Sequence, residues 1–167
     1  MTRRVAIECY ADEDLVQVMA ERGGLRLRGL HRYGQGQVVD AVLVRGTADV
    51  GIVDEDPGKS HHPARDRTEV VEATEDVVWR RRGERHLFVI KPDLEACFLR
   101  SSKRIGRRPK DLPNEPAELQ RMLNRPRPSA EHAAFRRELA ILRDDSDRKG
   151  KTTFVAELER MIRAIPD

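Results

Sequence analysis

The first 54 residues alternate between short apolar runs and helical patterns, and this alternation constrains the fold more than any other feature. We predict strands over 5–9, 25–30 and 48–53. Helical patterns lie between them, the first from Asp12 to the Gly23-Gly24 pair and the second over 38–43. Strands joined by a helix in this way pair in parallel through right-handed crossovers, and ligand sites lie at the carboxyl ends of such strands. The sequence therefore predicts an α/β fold with a mostly parallel sheet and a site at that edge.

Two aspartates follow the third predicted strand. The segment Asp54-Glu55-Asp56 ends this strand and is broken by Pro57-Gly58. Because strand side chains alternate, Asp54 and Asp56 are expected on one face. Two carboxylates about 4 Å apart repel by roughly 4 kcal/mol at an effective dielectric near 20. A Mg²⁺ ion held by one or two carboxylates and by water offsets this repulsion, although a charged turn that only closes the strand explains the same residues.

Further acidic residues are expected at the same edge of the sheet. Glu8 lies at or near the end of the first predicted strand, and neighbouring parallel strands end together, so Glu8 should lie near the aspartates. Asp12 lies one turn into the following connection and could reach the same cation. A tight turn over 33–37 follows the second predicted strand. In chain order the motifs are Glu8-x-x-x-Asp12, Gly34-x-Gly36 and Asp54-x-Asp56.

In the order and placement of these motifs the sequence resembles the Toprim family. This catalytic domain is shared by primases, topoisomerases and nucleases of the OLD (overcoming lysogenization defect) type. In the family a glutamate ends the first strand, a glycine turn follows the second, and an aspartate pair ends the third. The resemblance covers residues 3 to 100 and is nearest to the OLD-type nucleases. It implies a Toprim-like, mostly parallel sheet flanked by helices.

The resemblance also implies an activity, the hydrolysis of DNA or RNA phosphodiester bonds with one or two Mg²⁺ or Mn²⁺ ions. It makes Glu8 the general acid/base or a ligand through water, and makes Asp54 and Asp56 the ligands of the cation. Asp12 matches the acidic position that OLD-type nucleases use for a second ion. Two ions can stabilise the attacking and the leaving oxygen of an in-line displacement.

Secondary candidates lie further along the chain. In the loop after Asp56, Lys59 could steady a phosphate and His61 or His62 could move a proton, although a solvated loop explains them too. The resemblance adds Lys91 and Glu95, since OLD-type proteins carry a lysine or a glutamate near this place. An acidic first turn of a helix explains Glu95 equally well.

Two activities of the family are excluded because this sequence lacks the residues that they require. The only tyrosines, Tyr10 and Tyr33, lie inside the core motifs, whereas a topoisomerase needs a tyrosine on a moving domain. No cysteine/histidine zinc module of a replicative primase accompanies the motifs. Nuclease activity remains. The family also implies a partner ATPase in a defence system. This ATPase would be a separate protein, because the present sequence contains no P-loop motif.

Two other interpretations stay open. The chain could be a noncatalytic, metal-stabilised module that binds nucleic acid or protein. It also has some similarity to a response-regulator receiver, a phosphoacceptor domain, through residues 12–14, Asp54 and Lys91-Pro92. A receiver would require a full strand, helix and strand between Asp54 and Lys91, where we instead predict a hairpin that turns at Gly83.

The C-terminal third is predicted to be helical. We expect a helix to start at 91–99 and three more after it, capped by Asn114, by Ser129 and by Thr152 or Thr153, with the segment 124–129 separating the first two. The predicted organisation is an α/β core over 1–110 and a C-terminal helical extension over 111–167 that packs on the core.

Composition and charge indicate which class of partner and which cell compartment to expect. The 167 residues carry a net charge of +3, and the basic excess lies in residues 68–110, which suits a DNA or RNA partner. Cys9 and Cys97 are far apart in apolar contexts, so we expect buried thiols and a cytoplasmic protein. No run of about 18 apolar residues occurs, so no membrane span is expected. A homo-oligomer is left open.

Overall fold

The computed structural model describes residues 1–125 and 129–166, with the backbone alone for 147–149. Its strands are β1 (Arg3–Ile7), β2 (Leu27–His31), β3 (Val50–Asp54), β4 (Glu69–Ala73), β5 (Val77–Arg82) and β6 (Arg85–Ile90). Its helices are α1 (Tyr10–Glu21), α2 (Gln35–Val39, continued by a π-helical turn over Asp40–Val44), α3 (Pro63–Asp66), α4 (Leu94–Arg104), α5 (Pro116–Leu123), α6 (Ala130–Lys149) and α7 (Phe154–Arg163).

The strands form one six-stranded mixed sheet in the order β2-β1-β3-β6-β5-β4. The first four strands in this order pair in parallel, and β5 and β4 pair antiparallel at one side. The predicted α/β class and the mostly parallel sheet flanked by helices are therefore confirmed. The carboxyl ends of β1, β3 and β6 meet at one edge, where the acidic motifs lie.

The centre of the sheet is apolar on both faces, as parallel strands require. In β3, residues Val50 to Val53 are all buried. Gly51 lets α2 approach closely, because a Cβ atom there would lie 2.9 Å from Leu87 Cδ1 and 3.0 Å from Val38 Cγ1. A larger residue at this position would push α2 away from the strand whose end carries Asp54.

The two faces of the sheet carry separate apolar clusters. On one face Val5 and Ile52 share a cluster with side chains of α1 and of α4 to α7, among them Phe135 and Leu158. On the other face a smaller cluster joins α2 to Ala6, Val53, Leu87 and Val89. The C-terminal helices therefore pack on the sheet, and the division at residue 110 stays a prediction.

Several predicted boundaries are wrong by a few residues. The first strand ends at Ile7 rather than at Cys9, because Cys9 already caps α1. Helix α2 begins at Gln35, within the segment predicted as a turn, since the carbonyl oxygen of Gly34 accepts the N–H of Gln37 and of Val38. Glu115, not Asn114, precedes the first turn of α5.

Two predicted caps are confirmed. The Ser129 hydroxyl accepts the N–H of His132, and the Thr153 hydroxyl accepts the N–H of Ala156. The predicted separator over 124–129 falls partly on residues 126–128, which lie outside the described residues.

The region between Asp54 and Lys91 is fully described. It contains the predicted hairpin, in which β5 and β6 pair around Gly83, and an additional edge strand, β4. Helix α3 in this region has four residues. The strand, helix and strand that a receiver would require here are not present.

Two smaller expectations can also be compared with the structure. Both cysteines are free thiols, with Cys97 buried and Cys9 half-buried. In the described part of the chain, no helix combines the length and the apolar character needed to cross a membrane.

Candidate carboxylate site

Glu8 joins the ends of β1 and β3. It follows β1 directly, and its Oε1 accepts the backbone N–H of Asp54 at 2.9 Å. The backbone carbonyl of Glu8 lies 3.0 Å from His31 Nε2, at the end of β2. The Glu8 carboxylate therefore lies beside Asp54 at the carboxyl edge of the sheet, as expected from the parallel strand order.

Asp54 is held by two neighbouring elements. Its Oδ1 accepts the N–H of Leu94 at 2.9 Å, in the first turn of α4. Its backbone carbonyl accepts a hydrogen bond from the side-chain amide of Gln35 in α2. The position of this carboxylate is thus fixed by a helix on each side of the sheet.

Asp12 has a structural role that the sequence did not indicate. Its Oδ2 accepts the backbone N–H of Glu8 and of Cys9, each at 3.1 Å, and lies 3.4 Å from Cys9 Sγ. These bonds end β1 and begin α1 two residues before the predicted start. Asp12 is buried in this position, and its use for a second ion stays a prediction.

Asp56 does not continue the alternation of β3. The strand ends at Asp54, and Asp56 has a φ of 47°, in the left-handed region. Its Oδ2 accepts a hydrogen bond from Lys59 Nζ at 3.0 Å. Asp56 nevertheless lies close enough to Glu8 that its negative charge helps to raise the pKa of the Glu8 carboxyl group.

Of the two candidates after β6, Glu95 lies in the group and Lys91 lies outside it. Glu95 is 4% exposed in the first turn of α4, after the cap that Asp93 makes to the Ala96 N–H at 2.7 Å. The charge of Glu95 helps to raise the pKa of Asp54. The backbone carbonyl of Lys91 accepts a hydrogen bond from Arg100 at 2.7 Å, and neither Lys91 nor Glu95 lines the pocket next to Glu8.

The four buried or half-buried carboxylates disfavour one another's charge. Burial, with the charge of Asp12, raises the pKa of Glu8 to about 7. Burial raises the pKa of Asp12 to about 6 and that of Glu95 to about 7. Burial, followed by the charges of Asp12, Glu95 and Glu8, raises the pKa of Asp54 to about 10. Near neutral pH the metal-free group therefore retains protons that carboxylates in water would lose.

A pocket of about 440 Å³ opens beside Glu8. Gly34 and Gly36 line it, and a Cβ atom at either would meet nothing within 4 Å. Gly34 is required by its φ of 102° at the start of α2, not by lack of space. The remaining lining residues are polar: Gln35, Asp56, Lys59, Ser60, His61 and His62.

His61 has two partners for one ring nitrogen. Its Nδ1 lies 3.1 Å from Gln35 Oε1, an acceptor, and 3.0 Å from Arg65 Nη1, a donor. Arg65 is 8% exposed, and its pKa is lowered by burial and by the nearby charge of Arg80. Gln35 and Arg65 were missed from the sequence. The only sequence signal for Gln35 was its position between Gly34 and Gly36, and Arg65 had none.

The chemistry of the group suits a hard divalent cation, with a limit. Carboxylate oxygens are the ligands of Mg²⁺ and Mn²⁺, and a cation would offset both the burial and the mutual repulsion of these charges, the two causes that raise the pKa values of Glu8 and Asp54. Within residues 1–125 and 129–166, however, no three His, Cys, Asp or Glu side chains are arranged as a ready set of metal ligands. An ion at this edge would therefore be bound by one or two carboxylates and completed by water, an arrangement that is common for Mg²⁺.

Three comparisons, with family models, with curated proteins and with solved structures, find nothing that this chain matches. The strand order and the carboxylate group are the grounds on which its function is inferred.

Proposed function

We propose that the chain is a Toprim-type hydrolase that cleaves phosphodiester bonds of DNA or RNA with Mg²⁺ or Mn²⁺. The observation that carries the proposal is the contact between the Glu8 carboxylate and the Asp54 backbone. This contact brings acids from two separate strands together beside a pocket. Lys59, His61 and His62 supply basic groups around the same pocket.

Asp54 and Glu8 would hold the cation, with Asp56 at the mouth of the pocket. The Leu94 N–H occupies Asp54 Oδ1, and the Asp54 N–H occupies Glu8 Oε1. The second oxygen of each carboxylate, Asp54 Oδ2 and Glu8 Oε2, would therefore bind the cation. When bound, the cation would act as a Lewis acid on the phosphoryl oxygens. Gln35 and Leu94 fix Asp54 from opposite sides, so the carboxylate does not need to reorganise when substrate enters.

His61 is suited to move a proton in this pocket. When Nδ1 is protonated it donates to Gln35, and when Nδ1 is unprotonated it accepts from Arg65. Nδ1 therefore has a partner in both neutral tautomers, and the proton can leave or enter through Nε2. General acid/base catalysis requires a side chain that can both accept and release a proton within hydrogen-bond reach of the reacting group.

One observation favours a second candidate, the noncatalytic metal-stabilised module. The carboxylates accept backbone N–H groups that hold the strand ends together, and the described residues offer no ready set of three ligands. In that case a cation would stabilise the fold without cleavage. A partner ATPase and a role in defence stay predictions from the resemblance, and a homo-oligomer stays open.

Cleavage of plasmid and single-stranded substrates with Mg²⁺ or Mn²⁺ tests the proposal. We expect Glu8→Gln and Asp54→Asn to reduce the rate by at least about 10- to 100-fold, since loss of even an outer-shell partner of a metal ligand typically costs this much. The matched control is Asp49→Asn, which removes a carboxylate that pairs with Arg4 just before β3. Cleavage that survives both site variants, or none with either metal, would refute the hydrolase.

A further inference from the structure

The outer edge strand β2 and the residues that flank it carry a row of three arginines. Arg28 lies in β2, Arg26 directly before it and Arg32 directly after it, and by the alternation of an extended chain all three fall on the same face as Leu30, which packs against the smaller apolar cluster. Among the described residues, none of the three side chains has a hydrogen-bond or ion-pair partner. Some arginines elsewhere on the sheet have acidic partners, as Arg81 has in Glu69.

The spacing of this row suits a phosphate backbone. Alternate residues of a strand are about 6.6 Å apart, so long arginine side chains can reach successive phosphates of one nucleic-acid strand. The strand runs from Arg26 toward the carboxyl edge of the sheet, where Glu8 lies. The arginines therefore form a path that ends at the carboxylate group.

An exposed aromatic side chain, Tyr33, directly follows the last arginine of this row. Tyr33 is 82% exposed, and its ring lies 5.0 Å from that of His31 at an interplanar angle of 31°. His31 in turn packs edge-on against Tyr10 at 4.7 Å, and its Nε2 lies 3.0 Å from the Glu8 carbonyl oxygen. The next residue, Gly34, lines the pocket. A large apolar ring is thus supported on one side and open to solvent on the other, beside the proposed site.

Nearby acidic residues do not neutralise the positive charge of these three arginines. Asp40, near Tyr33, is already paired with Arg45. Helix α1, with its acidic first turn, packs on the opposite face of the sheet. Charged residues on an edge strand can also serve only to prevent edge-to-edge pairing. That role would not require an exposed ring at the end of the strand.

We propose that the β2 edge is a binding track for single-stranded nucleic acid, in which Arg26, Arg28 and Arg32 contact phosphates and Tyr33 stacks on a base. A stacking side chain needs an unpaired base, which a duplex does not offer. The track deepens the proposed function, since it would deliver a single strand to the carboxylates.

Fluorescence anisotropy in EDTA measures binding without cleavage. The probes are labelled oligo-dT, oligo-U and a duplex of equal length, across a salt series. We expect the triple variant R26Q/R28Q/R32Q to bind single strands at least tenfold more weakly. Its slope of log affinity against log salt should fall by about 2, since each lost phosphate contact lowers the slope for single strands by about 0.7. Comparing oligo-dT with oligo-U separates DNA from RNA.

Tyr33 and a charge-matched control complete the experiment. Tyr33→Ala should weaken binding about tenfold, and Tyr33→Phe should retain it, because stacking does not need the hydroxyl. The control R121Q/R137Q/K151Q removes the same charge from exposed residues of α5, of α6 and of the loop after α6, outside both the β2 row and residues 68–110. An equal loss in this control, or tighter binding of the duplex with no effect of Tyr33→Ala, would overturn the track.

The outcome also separates the track from the hydrolase. Binding that depends on the arginines and on Tyr33, in a protein without cleavage activity, would support the track and reject the hydrolase. Cleavage with normal binding and rate in the triple variant would support the hydrolase and reject the track.

Discussion

Replacing Asp54 with asparagine should stabilise the metal-free protein at pH 8. Burial and the charges of Asp12, Glu95 and Glu8 raise the pKa of Asp54 to about 10. A carboxyl group whose pKa is raised on folding stabilises the fold at low pH, and this contribution is lost as the pH rises from about 4 toward about 10. Asparagine removes the charge and keeps an oxygen that can accept the Leu94 N–H.

The size of the effect follows from the shift. One pKa unit corresponds to about 1.4 kcal/mol, so the span from about pH 4 to pH 8 gives an upper limit of about 6 kcal/mol. The protons of Glu8, Asp12 and Glu95 redistribute when one charge is removed, which reduces the net gain to about 2 kcal/mol. For a chain of this length we expect a rise in Tm of about 4–8 °C.

Differential scanning fluorimetry at pH 5 and pH 8, in EDTA and in millimolar Mg²⁺, measures this effect. In EDTA the gain from Asp54→Asn should be larger at pH 8 than at pH 5. Added Mg²⁺ should raise the Tm of the wild type at pH 8, where the carboxylates are most charged, and should have little effect on the variant. These expectations depend only on the charges in the group and not on any catalytic step.

Asp49, directly before the same strand, provides the control. A hydrogen bond from Arg4 lowers the pKa of Asp49, so Asp49→Asn should destabilise the protein and leave the response to Mg²⁺ intact. The reasoning is refuted if Asp54→Asn lowers the Tm at pH 8, or if Mg²⁺ protects this variant as well as it protects the wild type.

Three further predictions test the core and the site. Burial lowers the pKa of His86 to about 4, so stability should fall by at most about 3 kcal/mol as the pH drops from about 6.5 toward 4. Urea unfolding followed by the fluorescence of Trp79, whose Nε1–H donates to His86 Nδ1, should show this loss in the wild type and a smaller one in His86→Gln. Gly51→Ala should cost about 1–3 kcal/mol by overpacking against Leu87, measured by urea unfolding. Arg65→Gln should lower kcat more than it raises KM and alter the pH profile of cleavage, whereas Arg65→Lys should restore part of the rate.

Each of these three has a contrary outcome. Equal pH dependence in the wild type and His86→Gln would assign the acid sensitivity to other groups. Unchanged stability in Gly51→Ala would mean that α2 can shift without cost. An unaltered pH profile in Arg65→Gln would leave the guanidinium with a structural role only.

The sequence predicted the parallel strands around the site because its signals are local. Apolar runs and helical periodicity identify β1 to β3 and their connections, and parallel pairing then brings Glu8 beside Asp54 without any knowledge of side-chain contacts. Edge strand β4 was missed because its five residues are mostly exposed and do not show the alternation of apolar and polar side chains that predicts a strand.

Details that depend on contacts between distant residues were not predictable. The left-handed conformation of Asp56 follows from a turn held by the Pro92 carbonyl, which accepts its N–H at 3.1 Å. The partners of His61 come from Gln35, 26 residues earlier, and from Arg65 in a helix of four residues. Nothing in the pattern of the loop indicates that these three side chains meet.

The proposed track and the carboxylate group can act together only if the carboxylates are neutralised. A phosphate that enters the pocket approaches Glu8 and Asp54, and each charged pair at about 6 Å costs about 3 kcal/mol at an effective dielectric near 20. Protons held by the raised pKa values, or a cation, remove this cost. Because binding free energies are linked reciprocally, a cation that assists the entry of nucleic acid is itself bound more tightly when nucleic acid is present. In the proposed track the arginines of β2 contact phosphates without a cation, so binding in EDTA and cleavage in Mg²⁺ would report on different parts of the same surface.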